Sequence, residues 1–261
     1  NEMVAVDRIR KGTRRMERYI EGREGGPGEG WFRIVETPEE ARKVIDEGKM
    51  AVVLGIETSN LFDCYLHPPE GVDRCTEQDV IDQLDEYEAK GVQAIFPVHK
   101  YDNAFSAGDG HRGIIELGNF AQTGHYSNFT KDCPDVPAVF DDGDVQFGGL
   151  NDPREEFLLM PDVDMSGFSE APVQTLVEHA DKLTGGGTLE GDYCMNHGLT
   201  DLGEFLIREL IRRGMIVEVD HLPQRSLKRA YEILEEHDYP AAGTHGGTNR
   251  GKIYELDGVS K

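Results

Sequence analysis

Basic residues are scarce in this chain: 27 Lys and Arg stand against 50 Asp and Glu, for a net charge of −23. A surface of that sign repels phosphate backbones and anionic headgroups, which argues against a nucleic-acid partner. Long apolar runs are missing as well, so no segment reads as a membrane span. The four cysteines have no CxxC spacing, which excludes zinc ribbons and thioredoxin-like motifs. Cys64, Cys75, Cys133 and Cys194 are then buried thiols or up to two disulfides, with Cys64 and Cys75 the favoured pair because they flank a short Pro/Gly loop. No basic-then-apolar leader opens the sequence, so export either does not occur or uses a leader lying outside it. The compartment stays open, with the balance towards an extracytoplasmic or secreted setting over the cytoplasm. Asn128-Phe129-Thr130 fits a glycosylation sequon that matters only for secretion by a eukaryote. No repeat of fixed short period is visible.

What is present is a recurring unit: an amphipathic helix, a glycine, then a short apolar strand. The first runs from Thr37 through Gly48 to Ala51–Ile56, with Thr37 as N-cap, Pro38 in the first turn, Glu40 completing a capping box and Gly48 as stop. The second has Thr76 as cap, Val80, Ile81, Leu84 and Tyr87 at helical spacing, Gly91 as stop and a strand over 94–98 containing Pro97. A third spans Thr200 to Gly214 and continues into Met215–Val219; a fourth helix, Gln224 to Glu236, leads to Pro240–Thr244. Alternation of this kind predicts a parallel sheet. The 261 residues suffice for one barrel-sized α/β domain, which runs to roughly 250 residues or more. Between Asn103 and His197 the pattern lapses into Gly, Asp, Asn and Pro, so residues 103–197 read as an insertion between barrel elements. The basic segment Met3 to Ile20 reads as a helix with a solvated face, and Gly22 to Gly30 as a link.

The predicted strands end in Glu57, His99, Asp220-His221 and His245. In parallel α/β architectures the carboxyl ends of strands converge on one face, so these four elements would bring their titratable side chains together. Two imidazoles and a carboxylate suit zinc and similar divalent ions, and three ligands leave a coordination position for water. Glu57, His221 and His245 are therefore the candidate ligands, with His99 beside them as a catalytic group. Gly246 and Gly247 would allow backbone and substrate to approach closely. His67, His111, His125, His179, His197 and His237 are assigned to solvent or local hydrogen bonds. His179-Ala180-Asp181 has a ligand-like form but sits on a predicted helix where the two side chains diverge. The acidic cluster Asp141-Asp142-Gly143-Asp144 does not match a calcium loop and reads as a turn.

The stretches Gly198–Gly203, Arg213-Gly214-Met215-Ile216-Val217-Glu218-Val219-Asp220-His221, Val53–Glu57 and Phe96-Pro97-Val98-His99 resemble, in order, the membrane (renal) dipeptidase family of the amidohydrolase superfamily. The resemblance implies a (β/α)8 TIM-barrel, with Glu57 bridging two zinc ions, His221 and His245 on the second zinc, and His99 against the substrate. An arginine after the last histidine would hold the substrate carboxylate; Arg250 lies near but at a different offset, and Asn103 joins it as a substrate-binding candidate. Two departures stand out: no His-x-Asp pair precedes Glu57, and no strand follows His245 to carry the proton-handling aspartate. Their absence implies a barrel truncated at both ends and one metal ion rather than two. The expected activity is dipeptidase-like hydrolysis of an amide or related bond in a small-molecule or peptide substrate. A non-catalytic relative whose insertion serves binding is the alternative, and assembly as a homo-oligomer is left open.

Overall fold

The computed structural model describes residues 2–68, 70–109, 114–124, 127, 129–130, 133–136, 171, 173–174, 177, 194–245, 255–256 and 259–260. The chain starts with helix α1 (Glu2–Glu24), strand β1 (Phe32–Ile34), helix α2 (Pro38–Asp46) and strands β2 (Met50–Val52) and β3 (Leu54–Ile56). A 3-10 turn (Leu61–Asp63), helix α3 (Glu77–Ala89), strand β4 (Val92–Ile95), helix α4 (Ile114–Thr123) and strand β5 (Phe129–Thr130) follow. Beyond residue 193 come β6 (Cys194–Met195), α5 (Asp201–Arg212), β7 (Ile216–Val217), α6 (Gln224–Glu236), β8 (Glu255–Leu256) and β9 (Val259–Ser260).

Capping chemistry accounts for the starts of α2, α3 and α5. Thr37 accepts from the Glu40 N–H at 3.2 Å, and Gly48 ends the helix at φ +73°. Glu40 returns to the Glu36 N–H rather than to Thr37, one residue outside the expected box. At α3 the box is complete, with the Asp79 carboxylate accepting from Thr76 N–H and the Thr76 side chain accepting from Asp79 N–H. Thr200 caps α5 by accepting from Gly203 N–H at 3.0 Å. Gly203 itself is required by packing, since a Cβ there would run into the Phe105 carbonyl oxygen.

β1 and β2 pair in parallel, and β3, β4 and β7 form a parallel three-stranded sheet in chain order. A parallel bridge between Glu218 and Ala242 extends it by one segment. Among the described residues these strands form open sheets, a mixed α/β arrangement in which β3 is an edge. The second strand begins two residues earlier than expected and stops before Phe96, ahead of Pro97, whose missing N–H cannot join a ladder. β8 and β9, an antiparallel pair, correct the expectation that no strand follows His245.

Val80, Leu84 and Tyr87 of α3, Leu206, Ile207 and Leu210 of α5, and Ala230, Ile233 and Leu234 of α6 bury one face each against Val92, Ile95 and Val217. Each large side chain so buried contributes about 1.5–3 kcal/mol. α1 is less solvated than its charge pattern predicts. Val6 and Ile20 are buried, Arg10 donates to the Lys90 carbonyl at 2.7 Å, and Arg14 meets Glu36 at 2.7 Å.

Residues 103–109 belong to this scaffold, for Asn103 and Phe105 are fully buried. Within the expected insertion, β5 and β6 pair antiparallel and a Cys133–Cys194 disulfide joins the same two segments. Arg225 of α6 adds a two-pronged ion pair with Asp135 at 2.9 Å. Cys64 and Cys75 form the other disulfide, so all four cysteines are paired. The acidic cluster at 141–144 and the His179-Ala180-Asp181 stretch, with most of the predicted helix around it, lie outside the described residues. So do His111, His125 and Asn128 of the sequon. No helix among the described residues is long and apolar enough to cross a membrane.

Candidate metal centre

Three loops after parallel strands, and the segment after the Ala242 bridge, bring four side chains to one point. Glu57 follows β3 directly, His99 lies four residues past β4, His221 four past β7 and His245 three past Ala242. A single carboxylate oxygen, Oε1 of Glu57, lies 3.3 Å from His99 Nε2, 3.1 Å from His221 Nε2 and 2.7 Å from His245 Nε2. One ligand atom each from Glu57, His99 and His221 falls within 4.8 Å of the others, a separation that a single cation can bridge. His99 thus enters the donor cluster itself, whereas the sequence reading set it beside the ligands.

Local structure holds each ring. His221 has a φ of +66°, in the left-handed region that non-glycine residues take uncommonly, and its side chain is only 10% exposed. The His245 backbone N–H donates to Asp220 at 2.8 Å, and the preceding Thr244 gives its N–H and hydroxyl to the buried Glu218 carboxylate. Phe96 stacks on the His245 ring, with centroids 5.5 Å apart and planes 14° off parallel. Ser59 accepts from the Lys100 and Tyr101 N–H groups, tying the loop after β3 to the loop after β4.

The electrostatics separate the imidazoles. Burial pushes the His99 ring down to about 4; the charge of His221 adds to this, and Glu57 only partly opposes it. At neutral pH the 3.3 Å contact between His99 and Glu57 therefore joins a neutral ring to a carboxylate and is not an ion pair. His245 is raised, chiefly by its hydrogen bond to Glu57, with Asp220 helping. Burial acts to raise Glu57, but the His245 hydrogen bond and the three neighbouring rings outweigh it and hold the carboxylate below its usual range. An anionic oxygen facing several imidazole nitrogens is the donor chemistry of a borderline divalent ion such as zinc, and the residues fit that group.

Asn103, the substrate-binding candidate, is tied to the backbone. Its Nδ2 donates to the Ser59 and Pro97 carbonyls and its Oδ1 accepts from the Phe105 and Ser106 N–H groups, so both ends of the amide are committed to backbone. Arg250, Gly246 and Gly247 lie outside the described residues. His237 makes a local contact to the Ile233 carbonyl at 2.8 Å, as expected of a histidine at a helix end. Sequence reasoning missed Asp109 and Lys100, both 3.0 Å from His221 Nδ1. The only signal for Lys100 was adjacency to His99, and Asp109 sits between two glycines and reads as a turn. Comparisons of the chain with protein-family models, curated proteins and solved structures returned no match.

Proposed function

We propose that the chain is a metal-dependent hydrolase, dipeptidase-like, acting on an amide, peptide or related bond of a small substrate. The observation that carries this reading is the approach of three imidazole Nε2 atoms to one oxygen of Glu57. Glu57, His221 and His245 would hold one divalent cation, zinc by donor type, with His99 contributing its neutral ring. When bound there, the cation supplies Lewis acidity and brings the pKa of a coordinated water towards neutrality. The chain's own residues do the rest. Glu57 brings the negative charge, and Asp220 and Glu218 fix the segment that carries His245. His99, uncharged at neutral pH, can lend its lone pair or hold a proton at a substrate oxygen.

The wider frame, a (β/α)8 barrel of the membrane dipeptidase type, is proposed from the motif resemblance and from the parallel, chain-ordered strands β3, β4 and β7. The paired cysteines favour an oxidising, extracytoplasmic setting. A non-catalytic relative is the second reading. It draws support from the half-open site, where the His245 and Glu57 side chains are 42% and 35% exposed, because such chemistry gains from excluding water.

Metal content of purified wild type and of a His221→Ala/His245→Ala double variant tests the proposal. About one zinc per wild-type chain and a loss of most of it in the variant are expected; equal metal in both removes the ligand assignment. A His99→Ala variant that keeps its zinc but loses hydrolysis of a dipeptide series assigns His99 to the substrate, while loss of zinc makes it a ligand. Zinc-loaded wild type without hydrolysis of any amide favours the second reading.

A further inference from the structure

We infer that Asp109 is a positioning residue for the proposed metal centre, holding the His221 ring in the form that can bind a cation, against the competing pull of Lys100. The inference rests on the metal reading above and adds to it residues that no motif marked.

Among the described residues, His221 Nδ1 faces two groups at the same distance: Asp109 Oδ2 at 3.0 Å and Lys100 Nζ at 3.0 Å. On the far side of the ring Nε2 faces Glu57 Oε1 at 3.1 Å. A neutral imidazole carries one N–H, so the two neighbours correspond to opposite arrangements. If Nδ1 donates to Asp109, the Nε2 lone pair points into the cluster and can ligate. If Nδ1 instead accepts from the Lys100 ammonium, the proton sits on Nε2, directed at Glu57, and that nitrogen cannot ligate. A cation on Nε2 therefore selects Asp109 as the partner and leaves Lys100 to the Asp109 carboxylate, 3.9 Å away. Carboxylate partners of this kind fix ring orientation and raise ligand basicity in metal sites.

Asp109 reaches His221 on a loop built for the return. The Asp102 carboxylate accepts from Gly108 N–H at 2.9 Å, and Asn103 accepts from Phe105 and Ser106. Ser106 Oγ meets Ser226 Oγ of α6 at 2.8 Å, pinning the loop to the scaffold. The loop closes so tightly that a Cβ on Gly108 would stand 2.9 Å from the Lys100 carbonyl oxygen. Asp102, Asn103 and Ser106 are all buried, so this geometry belongs to the folded interior and not to a surface turn.

The test is zinc affinity of the full chain, measured by competition with a chromophoric chelator, for wild type, Asp109→Ala, Asp109→Asn and Lys100→Met, with circular dichroism as the check on folding. Asp109→Ala is expected to weaken zinc binding about 10–100-fold. Asp109→Asn, which keeps an acceptor oxygen without the charge, loses less, and Lys100→Met binds at least as tightly as wild type. Nitrogen-15 spectra of histidine-labelled, zinc-loaded wild type should show the His221 proton on Nδ1. Folded Asp109→Ala with wild-type affinity, or Lys100→Met with the larger loss, overturns the inference while leaving the metal reading intact. If Asp109→Ala does not fold, Asp109→Asn and the wild-type spectrum decide, and a proton on Nε2 overturns it. Wild type that takes up no zinc removes the metal reading and this inference together.

Discussion

The α2–β2–β3 half of the molecule and the α5–β7–α6 half are built from the same helix–glycine–strand unit, yet they bury very different amounts of it. α2 has no buried residue, and Ile45, Met50 and Val53 are 60%, 51% and 42% exposed. α5 buries Leu206, Ile207 and Leu210 completely, and α6 buries Ala230 and Ile233 completely and Leu234 almost so. Thr37 caps α2 and Thr200 caps α5, and each of these helices ends in a glycine of positive φ, so local chemistry does not separate them. The difference lies in what stands on either side. β7 lies between β4 and the Ala242 segment under two helices, whereas β3 is an edge strand among the described residues. The candidate site straddles this boundary, with Glu57 on the open half, His221 and His245 on the closed half and His99 between.

Core truncation should expose the contrast most strongly. Leu206→Ala is expected to cost about 2–5 kcal/mol, and Ile45→Ala to stay within about 0.5 kcal/mol, as read from urea unfolding midpoints. Comparable losses at the two positions would mean that α2 is covered in solution and would break the comparison. Capping, being local, should not follow the divide. Thr76→Ala and Thr37→Ala are each expected to lose about 1 kcal/mol despite their different surroundings, and a markedly larger loss at Thr76 would show that the cap is coupled to the core.

Acid sensitivity supplies the smallest and finest test. Asp79 is held below the usual carboxylate range by hydrogen bonds from the Thr76 side chain and backbone, and Glu204 by its hydrogen bonds with Arg229. A carboxylate with a lowered native value stabilises the fold above its unfolded value, and that contribution is lost as pH falls through the native one. Unfolding midpoints should therefore drop as pH is taken from about 5 downwards. Thr76→Ala should flatten that drop relative to wild type; an unchanged slope would remove Asp79 from the account.

Much of the frame was legible. Thr37, Thr76 and Thr200 marked helix starts, Gly48, Gly91 and Gly214 marked their ends, and the α6 boundaries at Gln224 and Glu236 agree to the residue, because caps and apolar periodicity act over a few neighbouring residues. The convergence of Glu57, His99, His221 and His245 followed from their shared position just after successive strands. Nothing in the sequence marked the structural part of Asn103, whose amide closes four backbone hydrogen bonds. Asp109 and Lys100 were invisible because their meeting with His221 joins positions more than 100 residues apart.

From the amino-acid order alone came helices α1, α2, α3, α5 and α6, the parallel pairing and the chemical type of the clustered side chains, since each of these depends on spacing within one segment or on side-chain identity; α4, inside the expected insertion, did not. Only the folded chain decided how deeply each helix is covered, that the His99 ring stands within reach of Glu57 and His221, and that one nitrogen of His221 lies between an acid and a base. Those outcomes depend on which distant segments come into contact, and short-range periodicity carries no information about that.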